Sequence, residues 1–315
     1  AYQIASGKPE KIKFVGRARA YHGVNFGGLS VGGIPFNREA FKASLLPNTL
    51  HLPATYDPAN ASTKGQPAHG GHHADVLEEI IAANGADTIA AVIVEPVAGS
   101  TGVLPPPVGY LEKLRAITAA HDILLIFDEV ITGCGRVGAS FAAERFGVTP
   151  DLITTAKGLT NGAIPMGAVL VRDDIHDTLM QGPAHQIEFF HGYTYSGHPV
   201  AVAAALAVLD IYERESTFAA ARALEGAFEE RLHALAGARH VKDVRTIGLM
   251  GAVDLASRED AIGARGLEAH KRLFEAGFLV RNAGDTLQFA PFLNSDVAEF
   301  DRTLEAVKAV LENLP

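Results

Sequence analysis

A single cysteine, Cys134, stands in 315 residues, which excludes an internal disulfide framework and a thiolate zinc cluster and fits a reducing, cytoplasmic setting. Basic excess is missing too. Twenty-seven Lys and Arg face 36 Asp and Glu for a net charge of −9, so no surplus exists to neutralise phosphates and nucleic acid is not an expected partner. The longest apolar stretch, 199–209, is too short to span a bilayer and runs into Asp210, so no membrane association is expected. Residues 1–8 carry neither a charged leader region nor a cleavage pattern; they read as the last turns of a helix stopping at Gly7. Repeats, low-complexity segments and long charge runs are absent as well. The histidines His69, His72 and His73 sit in a Gly/Pro-rich loop with no matching acidic ligand set, so no metal is expected.

What is present is apolar and ordered. Hydrophobic residues make up 48% and the mean hydropathy is +0.13, enough for one large domain and a smaller one. Short apolar runs at 12–15, 89–94, 123–127, 152–155 and 168–171 predict strands, and the spacing at 74–84 and 110–121 predicts helices between them. Strands that are continuously apolar and separated by helices indicate an α/β fold whose mainly parallel sheet is buried on both faces. The segment 26–71, rich in Gly, Pro and Asn, reads as a long irregular excursion. Two long helices follow, over 199–214 and 218–235. Beyond them the pattern changes to strands at 241–255, 278–281 and 286–290 with helices at 265–275 and 296–313. This predicts a large domain over 1–212 and a small C-terminal α+β domain over 213–315.

Two strand ends carry the chemistry. Asp128 follows the run Leu125-Ile126-Phe127, and Lys157 follows Leu152-Ile153-Thr154-Thr155-Ala156. Ligands of open α/β sheets bind beyond the carboxyl ends of parallel strands, where an acid and an amine can grip two ends of one cofactor. Pyridoxal phosphate (PLP) needs such a pair, an amine for its aldehyde and an acid for its pyridine nitrogen. Each residue also has a plainer reading: Lys157 as a surface lysine beside Gly158, Asp128 as the cap of the following turn. Glu95, before Pro96, is a third acid at a strand end, and a buried glutamate without a partner is expensive. The glycines and hydroxyls at 99–102 lack the terminal Gly-Lys-Ser/Thr of a P-loop. Tyr21, with His22 and Gly23, is either an exposed turn or an aromatic lying flat on a ring. Thr194, ahead of a long helix, suits a phosphate. Arg281 is either solvated or a bidentate clamp for a carboxylate.

The segments Tyr21 to Gly28, Val94 to Ser100, Leu125 to Gly133, Thr155 to Gly162 and Phe189 to Pro199 together resemble the class III, fold-type I PLP aminotransferases, in the ω-amino acid:pyruvate (β-alanine:pyruvate) branch. The resemblance runs essentially end to end. It implies that Lys157 is the Schiff-base lysine and proton shuttle, and that Asp128 pairs with the pyridine nitrogen. Tyr21 and Val130 are then expected on the two ring faces, Glu95 in the cofactor-side polar network and His22 close by. Thr194 is expected to bind the phosphate of a neighbouring subunit, in a homodimer or higher homo-oligomer with active sites at the interface. Arg281 is expected to bind the carboxylate of pyruvate or alanine. The resemblance further implies a portion ahead of Ala1, with a Gly/Ser phosphate cradle and pocket aromatics, that these residues do not include; Cys134 also stands where the family usually has an aromatic. The expected activity is transfer of an amino group from an ω-amino acid or amine to pyruvate. The rivals are another PLP reaction on the same fold, such as an aminomutase or decarboxylase, and a non-catalytic dimerising paralogue. A nicotinamide-binding domain is disfavoured because no Gly-x-Gly-x-x-Gly follows a strand.

Overall fold

The computed structural model of the chain describes residues 1–182 and 185–315. In the first part, α1 (Tyr2–Ala5), β1 (Lys13–Arg17), α2 (Phe26–Val31), α3 (Pro35–Ala40) and β2 (Thr49–Leu52) precede α4 (Val76–Asn84). Then β3 (Ile89–Val94), α5 (Tyr110–Ala120), β4 (Leu124–Asp128), α6 (Ala142–Phe146), β5 (Leu152–Thr155), β6 (Ala168–Val171) and α7 (Asp173–Leu179) complete the sheet and its cover. The strand order is β2-β1-β3-β4-β5-β6, parallel throughout except for the antiparallel pair β5–β6. The mainly parallel α/β sheet expected from the sequence is therefore what forms. β3 reads Ile-Ala-Ala-Val-Ile-Val with all but one residue buried, because helices pack on both faces of the sheet. Val92, Leu125 and Phe127 meet Leu111 and Leu114 of α5 in one core.

The second part begins with α8 (Pro199–Arg214), which starts on a proline at its first helical position, where a missing N–H costs nothing. α9 (Thr217–His233), β7 (Val241–Ile247), β8 (Met250–Leu255), α10 (Ala264–Glu275), β9 (Arg281–Ala283), β10 (Thr286–Phe289) and α11 (Val297–Glu312) follow. Their four-stranded sheet, in the order β7-β8-β10-β9, is antiparallel. It has its own core around Phe228, Val253, Leu287 and Phe300. Asp296 caps α11 in a reciprocal box with Glu299.

Two expectations need correction. The segment 26–71 is not irregular throughout: it holds two short helices and the strand β2, which pairs parallel with β1. The strand expected at 278–281 begins only at Arg281, because Phe278 still closes the end of α10 through its N–H to the Leu273 carbonyl.

Candidate active site

Asp128 and Lys157 leave the carboxyl ends of β4 and β5, which are neighbouring parallel strands with Asp128 opposite Thr154. The Asp128 carboxylate is fixed twice. Oδ1 accepts the Val130 N–H at 3.1 Å, and Oδ2 lies 2.8 Å from His22 Nδ1. The His22 ring is 2% exposed and its Nε2 is buried without a hydrogen-bond partner. Lys157 remains open to solvent in its side chain, yet packing around it partly desolvates the amine and pulls its pKa below the ordinary 10.5. The charges of Asp128 and Glu95 oppose that shift, while Arg281 reinforces it. Its backbone is left-handed, φ 45°, and so are those of Cys134 (φ 56°) and Asn161 (φ 49°) nearby. Non-glycine residues hold this conformation only where the surroundings impose it, commonly at functional sites.

Glu95 is buried at the end of β3. Oε1 accepts the Tyr21 N–H at 2.9 Å and Oε2 the Gly99 N–H at 3.0 Å. Burial pushes its pKa up, and His22, Arg17 and the two N–H donors pull against that push. Tyr21, His22, Glu95, Asp128 and Val130 are thus joined by hydrogen bonds or adjacency into one cluster. Lys157 is tied to it through charge. Val130 and Lys157 line a cleft of about 570 Å³ with Cys134, Arg136, Tyr212 and Phe292. Arg281 lies exposed on β9. Thr194 is exposed ahead of α8 and does not line that cleft.

Several residues that shape the site carried no signal in the sequence. Tyr212 of α8 donates to the Gly158 carbonyl at 2.8 Å, bracing the turn that holds Lys157. Glu129, fully buried, accepts the N–H groups of Ala142 (2.5 Å) and Ala143 (2.9 Å) at the start of α6 and so closes the Gly-rich turn after β4. Arg136 donates to the carbonyls of Leu249 and Pro291, at 3.1 and 2.6 Å, linking that turn to the second sheet. The loop after Glu95 is held across the same divide. Gln288 donates to the Gly99 and Ser100 carbonyls, Arg19 to Thr101, and Arg245 to Gly102 and Val103. Five successive carbonyls are captured by side chains from both sheets. None of these pairings is marked in the local sequence, because each joins residues far apart in the chain.

Gly158 abuts Cys134: a Cβ at Gly158 would lie 2.6 Å from Cys134 Cβ. Gly158→Ala is expected to destabilise the chain by about 1–3 kcal/mol through overpacking. Cys134→Gly in the same chain removes that Cβ at a left-handed position and should recover much of the loss in urea unfolding. No recovery would mean the clash is not with Cys134.

The site thus sets an acid and an amine on adjacent strand ends of an α/β sheet, one pinned by two contacts and one partly desolvated, with the Tyr21 backbone anchored through Glu95. The description "Aminotransferase class-III" matches residues 1–311, and the chain belongs to that family. It is 56% identical over 312 residues to an omega-aminotransferase of Caulobacter vibrioides, covering 99% of this chain and 71% of that protein. It is 50% identical over 317 residues to the beta-alanine–pyruvate aminotransferase of Pseudomonas aeruginosa, covering all of this chain and 70% of that one. Among solved structures, an amine transaminase from an uncultivated Pseudomonas species, in its PLP-bound form, superposes with a TM-score of 0.90 at 38% identity. That match covers 100% of this chain and 72% of the other.

Proposed function

We infer that this chain is a PLP-dependent transaminase moving the amino group of an ω-amino acid such as β-alanine, or of an amine, to pyruvate. The observation that carries the reading is the Asp128–His22 pair fixed one strand away from the desolvated Lys157 amine. The donor set fits the cofactor. Lys157 Nζ would take its aldehyde, Asp128 its ring nitrogen, Tyr21 and Val130 its two faces, with Glu95 behind and a phosphate contact from Thr194 of a second copy. When bound, PLP supplies an electron sink for the charge left when a proton departs the amine-bearing carbon.

The chain's own residues do the rest. Lys157 Nζ takes the proton from that carbon as base and returns one as acid, a task suited to an amine that loses its charge below the usual lysine range. Asp128, fixed in place by the Val130 N–H and by His22, would present its carboxylate to a ring cation. Arg281 offers a fork for the carboxylate of pyruvate or alanine.

The relatives' names support pyruvate as acceptor and β-alanine as donor. The test is alanine formation from pyruvate and β-alanine by the PLP-loaded protein, beside Arg281→Gln. The variant should raise KM for pyruvate about tenfold or more, the value of a lost charged pair, with less effect on an uncharged amine donor. Products of decarboxylation or amine migration without alanine would replace the reading with one of its rivals.

The division near residue 213 into a large PLP-binding domain and a small domain is supported by the separate sheets and cores on either side. A homodimer sharing its active sites is supported by the apolar residues exposed on α8 and just before it, Val200, Leu206, Leu209 and Tyr195. Sedimentation showing only monomer at assay concentration would refute it. Among the described residues no helix is long and apolar enough to cross a membrane. A cytoplasmic location is consistent with the lone buried cysteine.

A further inference from the structure

Arg17 ends β1 with 1% of its surface exposed and ranks among the largest fully buried side chains. A buried guanidinium is costly unless its donors and charge are used. One use is clear. Nη2 donates to the backbone carbonyl of Glu95 at 2.6 Å, and β1 and β3 run parallel as neighbours, so both residues leave the same end of the sheet. The rest of the guanidinium lies over Tyr110, 5.9 Å from the ring centroid, with Nη1 buried and without a partner. From Glu95 the contacts continue to the Tyr21 N–H at 2.9 Å and the Gly99 N–H at 3.0 Å. The Arg17 charge also opposes the upward push that burial gives the Glu95 carboxyl.

We propose that Arg17 is a positioning residue for cofactor binding: its guanidinium fixes the Glu95 end of β3, and Glu95 passes that position to the backbone presenting the Tyr21 ring. The role rests on the reading of the site given under Proposed function. Arg17 does not line the cleft that Lys157 and Val130 line. Its hydrogen bond holds the Glu95 main chain, and its effect reaches Tyr21 only by way of the Glu95 carboxylate, which makes that effect conditional on Glu95.

Apoprotein of the wild type, Arg17→Met, Glu95→Gln and the double variant is titrated with PLP, following the Lys157-dependent visible band and its pH profile. A thermal melt of each apoprotein accompanies the titration. Arg17→Met is expected to weaken PLP binding about tenfold, the value of a charged buried hydrogen bond, and to displace the pH profile of the band. Glu95→Gln should do comparable harm, and the double variant no more than either single change, because both cut the same line of contacts. Losses that multiply, unchanged affinity in Arg17→Met, or a lowered melt with an unmoved pH profile each overturn the proposal. If Arg17→Met gives no folded apoprotein, Arg17→Lys, which keeps the charge but loses the fork, goes through the same cycle with the same overturning results. A wild type with no Lys157-dependent band removes the PLP reading and this proposal together. A normal band with multiplying losses removes only the role of Arg17.

Discussion

Lys157→Ala is expected to bind PLP without the visible band of a lysine-bound cofactor and to lose transamination by about 10⁴-fold or more. Proton transfer by one positioned group is worth up to roughly that factor, and in the proposed function the same group also anchors the cofactor. The fold should survive. The side chain is solvent-reachable, so its removal leaves no core cavity, and the melt should stay close to that of the wild type. The pH behaviour has a defined sign. Between the depressed value in the fold and the ordinary 10.5, the unfolded chain holds a proton on this amine that the folded chain does not. Stability from this lysine therefore grows as pH rises through that window, and PLP uptake by wild-type apoprotein should level off below the ordinary lysine value. Retained activity with a retained band in Lys157→Ala would place the catalytic amine elsewhere.

Asp128→Asn is the second large effect, with kcat expected to fall by about 10²–10³-fold, the range for removing one preorganised electrostatic stabiliser. The amide keeps the shape and can still accept the Val130 N–H, but it offers no charge to a ring cation and none to His22. PLP should therefore still bind and still show its Lys157 band, with the loss confined to the proton-transfer step. A substrate deuterated at the amine-bearing carbon measures this: its isotope effect on kcat should grow in Asp128→Asn. An undiminished kcat would mean that Asp128 is only the cap of the turn after β4.

How far the sequence announces this molecule depends on the range of the forces involved. β3, β5, β6 and α8 form at the residues their patterns mark, because continuous apolar runs and a proline-started helix are local properties. Strand β2 is hidden: Thr-Leu-His-Leu is short, only partly buried, and becomes a strand because β1 offers it a free edge. The run at Phe278 looks like a strand since it is apolar, yet its first residue is spent on ending a helix. The places of Lys157, Asp128 and Glu95 at or just beyond strand ends are legible because the apolar runs before them are local, and topology makes such ends the expected place for a ligand. Arg17, Arg245, Gln288 and Tyr212 are not. The carbonyls they hold lie 54 to 189 residues away, and nothing in their own neighbourhoods marks a donor that will meet a particular carbonyl.

The run of carbonyls from Gly99 to Val103, gripped by Arg19 from one side and by Arg245 and Gln288 from the other, has a consequence for protein engineering. The C-terminal part is not an exchangeable cartridge. A chimera that borrowed residues 213–315 from a distant aminotransferase would keep its own lysine and aspartate and still release the loop from which Gly99 reaches Glu95. Grafts that carry over the arginine and glutamine with their loop should travel as a set, and recombination points for shuffling this chain are better placed to leave that set whole.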